Sequence, residues 1–401
     1  TAAGPSGQVR RPAGNGERME QQMPKKKKKA KRFYDYSLLF TIAFLIMFGL
    51  LMIYSASSYK AQLDYNGNAA YFMTRQGVIA LGGFAFMILI SRLDYRWYAK
   101  FYKLAIAVSW FMMIAVSFVG RRVNGKRRWL GVGPLSFQPT ELVKITVIVS
   151  VAALLVKLGR DVDRPAGIAR IAMVVLPLAA IVAANNLSSG IIIAGIGFVM
   201  LFVASRKKLW YFLVMAAGGL VIAFAPQIGN GLRAIHLLKP YQLNRINVWK
   251  NPEAFASDGG YQVLQGLYAI GSGGLFGKGL GESIQKLGFV PEAQNDMIFS
   301  IICEELGLFG AVSLILVFMF MIYRFMVIAS NAPDLFGCLL VVGVMAHIAI
   351  QVILNIAVVT NTIPNTGITL PFISYGGTSI VFLEAEMGMV LSVSNQIKLE
   401  K

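Results

Sequence analysis

Glu292 and Asp296 stand four residues apart at the end of a glycine-rich segment, immediately before the apolar run 297–302, MIFSII. Two carboxylates held where a chain passes from water into hydrocarbon can divide acid–base work. One takes a proton from a hydroxyl, and the other supports it or helps to hold a metal. Neither has a sequence neighbour to neutralise it, and ionisable groups at a membrane boundary are functional candidates on that ground. The plainer role for Asp296 is a helix N-cap, accepting orphan amide bonds for about 1 kcal/mol. If the helix begins early, Glu292 shares its face.

Cations are the natural complement. The loop 121–138, RRVNGKRRWLGVGPLSFQ, opens with five basic residues in eight, and the long segment 229–295 carries Arg233, Lys239, Arg245, Lys250, Lys278 and Lys286. Both fall on the side of the membrane where basic residues are disfavoured. That placement points to an anionic ligand, since arginine offers a fork matched to phosphate and lysine a point charge. Solvated loops resting on anionic headgroups are the alternative. The glycines of 271–281 miss the dinucleotide fingerprint and no P-loop occurs, so they serve turns or let a loop bend closely over a bound headgroup.

These groups need a scaffold, and composition says which. Of 401 residues, 56% are hydrophobic and 14% charged, the balance of a polytopic membrane protein. In lipid every backbone group must pair within its own segment or in a closed barrel, which excludes an open sheet; the alternating barrel pattern is absent. The expected fold is all-α, with about ten transmembrane helices at roughly 36–56, 71–91, 100–120, 138–157, 168–185, 187–205, 209–228, 297–323, 335–359 and 379–396. Both termini are then cytoplasmic, with a large extracellular loop between helices seven and eight. Residues 1–33 read as a disordered basic tail ending in KKKKKAKR, and 34–398 as a single transmembrane domain. The net charge of +19 is spread over loops instead of one soluble face, so anionic lipid is the expected partner and nucleic acid is not. Cys303 and Cys338, and the separated His236 and His347, make neither a disulfide framework nor a zinc site.

Several carboxylates fall inside spans. Glu141 and Lys144, three apart, can neutralise each other on one helix face. Glu304, Glu305, Glu384 and Glu386 must face the bundle interior, as a proton relay or gate, or as hydrogen-bonded glue between helices. The loop 361–379, NTIPNTGITLPFISYGGTS, has broken backbone near the membrane and should wall the site of Asp296, or act as a re-entrant turn.

Segments 124–144, 261–307 (through GSGGLFGKGLGESIQKLGFVPEAQNDMIFS) and 361–379, with YSASS at 54–58 and EMGMVLSVSNQIK near the end, closely resemble the SEDS family of bacterial cell-wall polymerases, in its FtsW and SpoVE branch. The resemblance implies a glycosyltransferase that polymerises lipid II on the outer face of the cytoplasmic membrane, at the division septum. Undecaprenyl pyrophosphate would be released. It implies that Asp296 is the catalytic aspartate of the PEAxxD segment, with Glu292 its neighbour. Arg127, Arg128, Lys278 and Lys286 are candidates to offset charge on the leaving diphosphate. Arg121, Lys126, Trp129, Gln138, Arg245, Gln285, Ser374, Tyr375, Thr378 and Ser379 complete the expected substrate contacts. No cofactor is required; a divalent cation could share the work, though no ligand set is legible. The implied partners are lipid II, a class B penicillin-binding protein and other divisome proteins. The chain departs from the family at 184–189, ANNLSS, where Asn186 replaces a usual aspartate. A lipid II flippase, or a scaffold that activates a partner enzyme, are the competing classes.

Overall fold

The computed structural model describes residues 1, 2, 4, 32–123, 126–132, 135–225, 227, 240–257 and 259–398. Most of the basic tail, with Arg233, His236 and Lys239, therefore lies outside the described residues, although Arg32–Phe33 of the tail form a short strand. Among the described residues twelve α-helices follow in chain order: α1 Tyr36–Asp64, α2 Tyr71–Arg92, α3 Arg96–Val119, α4 Pro139–Leu158, α5 Pro165–Asn185, α6 Leu187–Ala204, α7 Leu209–Ala223, α8 Pro240–Lys250, α9 Gly260–Ser272, α10 Ile298–Ser330, α11 Leu335–Val359 and α12 Ser379–Ser394. Among the described residues eight of these, α1–α6, α10 and α11, are long and apolar enough to cross a membrane.

Two expected spans are shorter than the sequence suggests. At 209–228 the helix α7 has 15 residues, and at 379–396 the helix α12 has 16. Helix α12 is buried along its length from Leu383 to Ser394 and packs most closely on α2. It is therefore lined by protein rather than lipid, which is why it can carry two glutamates.

The expectation of no open sheet needs correction at two places outside the spans, a pair of two-residue strands and a larger sheet. Three short strands, β2 Arg121–Val123, β3 Lys126–Val132 and β4 Leu135–Phe137, pair antiparallel in the order β2-β3-β4 within the loop joining α3 to α4. Outside hydrocarbon, water satisfies the edges, so the rule against open sheets does not reach them.

The two ends of the described chain meet. Strand β1, Arg32–Phe33, pairs antiparallel with β5, Ile397–Lys398. Beside it Asp35 accepts from the Leu38 amide at 2.9 Å as the N-cap of α1, receives the Arg324 guanidinium at 2.7 Å, and donates its own amide to Ser394 Oγ at 2.9 Å. One residue thus ties the start of α1 to the far end of α10 through its carboxylate and to the far end of α12 through its backbone amide. Since α10 runs from Ile298 to this latch, residues 292–297 lie at the opposite end of the bundle from the paired termini.

Helix α10 is broken at Gly307, whose φ of 66° and ψ of −166° lie outside helical space. The amides of Leu308 and Phe309, which would continue the helix, donate instead to the carbonyls of Gly274 and Leu275 at 2.9 and 3.0 Å. The carbonyls of Glu304 and Glu305 accept in return from the amides of Lys278 and Gly279, at 2.9 and 3.0 Å. Two helical bonds, Leu308 to Glu304 and Phe309 to Glu305, are exchanged for four to the glycine-rich loop, so none of these four backbone groups is orphaned where the helix opens. The same substitution of partners draws the loop 273–288 against the side of α10.

The loop 361–378 also dips inward. Leu370 to Ser374 are buried, and Gly49 in the middle of α1 leaves no room for a Cβ against the Phe372 carbonyl. Its far end is held by α2, where Gln76 accepts from the Gly377 amide at 3.1 Å and Phe72 meets Tyr375 edge-on, centroids 5.1 Å apart.

Candidate active site

Helix α10 begins at Ile298, with Met297 in the cap position and no side-chain cap bond, so Asp296 is not an N-cap. Nor does Glu292 share a helix face with it, because 291–297 is a run of turns. The carboxylate is freed for other work and is held by its backbone: the Asp296 carbonyl accepts from Asn355 Nδ2 of α11 at 2.9 Å. The same amide donates to the Ile368 carbonyl at 2.6 Å, which pins the site loop to the aspartate segment. Gln262 of α9 donates to Asp296 Oδ1 at 3.5 Å and to the Pro291 carbonyl at 3.3 Å, and its own oxygen accepts from Asn365 Nδ2 at 3.1 Å. A Cβ on Gly367 would stand 3.6 Å from Asp296 Oδ2. Two residues before Asp296, the Gln294 carbonyl accepts the Tyr375 amide at 2.9 Å.

The electrostatics follow from this partly buried, amide-lined setting. Burial first, and the Glu292 charge second, push the Asp296 carboxyl up to about 7, against smaller opposing pulls from its own backbone amide and from Arg245. Glu292 is exposed and lies 3.7 Å from Lys60 Nζ of α1, and Asn295 Nδ2 donates to it. The backbone here is strained: of the four described non-glycine residues with positive φ, Glu292 (55°), Asn361 (55°) and Phe372 (64°) belong to the two segments that make the site. Such strain persists only where surrounding contacts enforce it, and it concentrates at functional positions.

Around Asp296, then, the structure gathers Glu292, Arg245 and Tyr375 from the expected set. Arg245 on α8 donates to the Asn365 carbonyl at 3.0 Å. Ser374 Oγ accepts the Leu370 amide at 2.8 Å, Ser379 Oγ donates to the Gly376 carbonyl at 2.8 Å, and Thr378 Oγ1 donates to Ser136 of β4 at 3.1 Å. These hydroxyls shape the loop and join it to the basic sheet.

The expected diphosphate cations are placed differently. Lys278 Nζ lies 2.6 Å from Glu304 and Lys286 Nζ 2.9 Å from Glu305, so both lysines neutralise buried carboxylates of α10 instead of standing free. A glutamate at that depth requires a partner, and the partner comes from a loop about twenty residues earlier that the helix break draws in. Gln285 belongs to the same loop, its amide nitrogen donating to Glu304 at 3.3 Å. Arg127 donates to the Ser117 carbonyl at 2.9 Å and to that of Phe118, closing the end of α3; Arg128 Nε donates to the Asn185 carbonyl at 2.9 Å, closing the end of α5. Arg121 is exposed on β2 opposite Trp129, which is half-buried on β3, and Gln138 precedes α4 without a side-chain cap bond. Lys126 lies on β3, its side chain outside the described residues.

Gln262, Asn355 and Asn365 escaped the sequence reading. A signal existed for Asn355, a bare amide in an otherwise apolar span, which has to find a partner inside the bundle. Asn186 sits beside the site, N-capping α6 by accepting from the Ser189 amide at 3.3 Å, while Ser188 Oγ donates to the Thr366 carbonyl at 2.6 Å. A carboxylate would make the same cap bond and add charge at the positive helix end. Asn186→Asp is therefore expected to raise stability by about 0.3–1 kcal/mol, read as a higher melting midpoint, with turnover unchanged.

The FtsW, RodA and SpoVE family, described as cell cycle proteins, matches residues 36–399. Stage V sporulation protein E of Bacillus subtilis is 36% identical over 365 residues, covering 90% of this chain and 96% of that protein. A protein of the same organism named probable peptidoglycan glycosyltransferase FtsW is 36% identical over 375 residues, 92% of this chain and 93% of that one. Among solved structures, a chain from "Structural coordination of polymerization and crosslinking by a peptidoglycan synthase complex" superposes with a TM-score of 0.74 at 27% identity, covering 91% of this chain and 98% of that one. The rod shape determining protein RodA of Thermus thermophilus gives 0.66 at 25% identity, covering 92% and 98%.

Proposed function

The chain belongs to the FtsW, RodA and SpoVE family of cell cycle proteins, and from that premise we propose that it is a peptidoglycan glycosyltransferase that joins lipid II units into glycan strands. The observation that carries the reading is the Asp296 carboxyl: partly buried, held up to about 7 by burial and Glu292, and ringed by neutral amides with Arg245 as the nearby cation. A base for a sugar hydroxyl works best when its proton affinity lies near the working pH.

In the proposed step the acceptor GlcNAc 4-hydroxyl attacks the anomeric carbon of the donor MurNAc with inversion. The new C–O bond forms as the bond to pyrophosphate breaks, the hydroxyl proton passes to Asp296, and the departing electron pair stays on the undecaprenyl pyrophosphate oxygen. Arg245 is the cation placed to oppose that charge. Among the described residues no group of three His, Cys, Asp or Glu side chains converges to hold a metal. A divalent cation carried by the diphosphate itself remains a proposal outside this step. The position of the site, at the end of the bundle opposite the paired termini, supports work on the outer membrane face.

Service at the division septum, alongside a class B penicillin-binding protein and divisome proteins, is part of the same proposal. The superposition on a chain of a peptidoglycan synthase complex supports the pairing with a cross-linking partner, and the septal role rests on the similarity to proteins named FtsW. One feature favours the flippase reading: α10 is a broken helix, the kind of element that transporters place at their binding sites. The experiment that separates them uses purified protein in vesicles. Polymerisation of added lipid II without partner proteins supports the transferase; movement of labelled lipid II between leaflets with no glycan formed would overturn it.

A further inference from the structure

Helix α11 carries His347, Gln351 and Asn355 at i, i+4 and i+8, so the three side chains leave one face, and all are buried. From α12, Glu386 Oε2 lies 2.7 Å from His347 Nδ1. His347 Nε2 lies 2.9 Å from Gln351 Oε1, and Gln351 Nε2 donates to the Thr369 carbonyl at 3.0 Å. One turn on, Asn355 donates to the Ile368 and Asp296 carbonyls. A polar seam thus runs from the interior of α12 along α11 to two adjacent carbonyls of the site loop and to the backbone of Asp296.

The acceptors assign the hydrogens. The Thr369 carbonyl can only accept, so Gln351 turns its NH₂ toward it and its oxygen toward the ring, and His347 must carry a hydrogen on Nε2. One proton remains for Nδ1 and Glu386 to share. A carboxylic acid donating to a neutral ring and an imidazolium donating to a carboxylate both keep the seam closed.

Interhelical glue alone would not need this direction. Polar pairs between helices in a membrane are worth only about 0.6 kcal/mol on average, and apolar packing would join α11 to α12 as well. The seam instead ends where a small displacement matters, because a shift of about 1 Å at a reacting group can cost about 100-fold in rate. We propose that Glu386, His347 and Gln351 are positioning residues for the reaction at Asp296. They fix the peptide planes of Ile368 and Thr369 and so, through Asn355, the direction of the aspartate side chain. The inference rests on the reading of Asp296 as the base.

The test measures initial rates against lipid II concentration for the purified full chain, with thermal melting alongside. Gln351→Leu should lower kcat by about 10-fold or more while KM stays within about two-fold. Glu386→Leu should behave likewise, and Glu386→Gln, whose amide can donate to Nδ1, should restore most of the rate. This pair carries the comparison if Gln351→Leu fails to fold. A normal kcat in Gln351→Leu, a loss that appears in KM or melting and not in kcat, or equal losses in both Glu386 variants would each overturn the proposal. Asp296→Asn run in parallel separates the two readings: if it keeps normal turnover both fall, and if it is inactive while Gln351→Leu is normal, only the seam does.

Discussion

Asp296→Asn is expected to lower glycan polymerisation from lipid II by about 10²–10⁴-fold, the usual worth of a positioned general base, with the fold retained. The substitution keeps the shape and leaves the backbone tethers in place, because Asn355 and the Tyr375 amide engage the backbone of this segment and not the carboxyl group. What disappears is the capacity to accept a proton. The same group sets the pH response. A base acts when ionised, so kcat/KM should rise with pH through about 7 and level off above it. Glu292→Gln removes the second contributor to that elevation and should move the rise to lower pH. The rise should still stand above the ordinary carboxylate range, because burial, the larger cause, is untouched. A profile flat from about pH 5 to 8 would sink the base assignment. A profile unmoved by Glu292→Gln would sink the coupling alone.

Eight span positions were legible because hydrocarbon thickness fixes helix length, and Asp296 drew notice because a carboxylate at a helix entrance is either an N-cap or a candidate for chemistry. The partners of the buried glutamates were not. Lys278 and Lys286 read as loop cations in an extramembrane segment, and nothing local announces that Gly307 will open α10 and admit that loop. Gly307 looks like any helical glycine until its amide neighbours are seen bonded to Gly274 and Leu275. Arg127 and Arg128 were misread for a related reason: a guanidinium that closes a helix end and one that holds a phosphate have the same sequence signature. Gln262 and Asn365 carry no charge and sit among polar neighbours, so only the folded geometry shows that they meet at Asp296. Glu386 was flagged for its depth, but its partner His347 lies 39 residues earlier on another helix, a distance that no periodicity spans.

Lys286→Met is expected to be the most destabilising single change near the site, costing about 3–5 kcal/mol, because it strands a buried charge instead of removing an interaction from water. Lys286 is 8% exposed and Glu305 0%. The ammonium reaches Glu305 at 2.9 Å, Ser55 Oγ at 3.0 Å and the Gly281 carbonyl at 2.6 Å. Without it the Glu305 carboxylate keeps only the Ser55 hydroxyl, at 2.6 and 2.8 Å. The damage should travel along the backbone, since the loop that Lys286 anchors also supplies the amides that replace the lost helical bonds at Gly307. Thermal melting in detergent reads the loss, and the paired substitution Lys286→Met with Glu305→Met separates its causes. If the penalty is that of an unpaired charge, the double variant melts well above the single one. If the two melt alike, the exchange of backbone bonds holds the loop by itself, and the ion pair is a consequence of that docking.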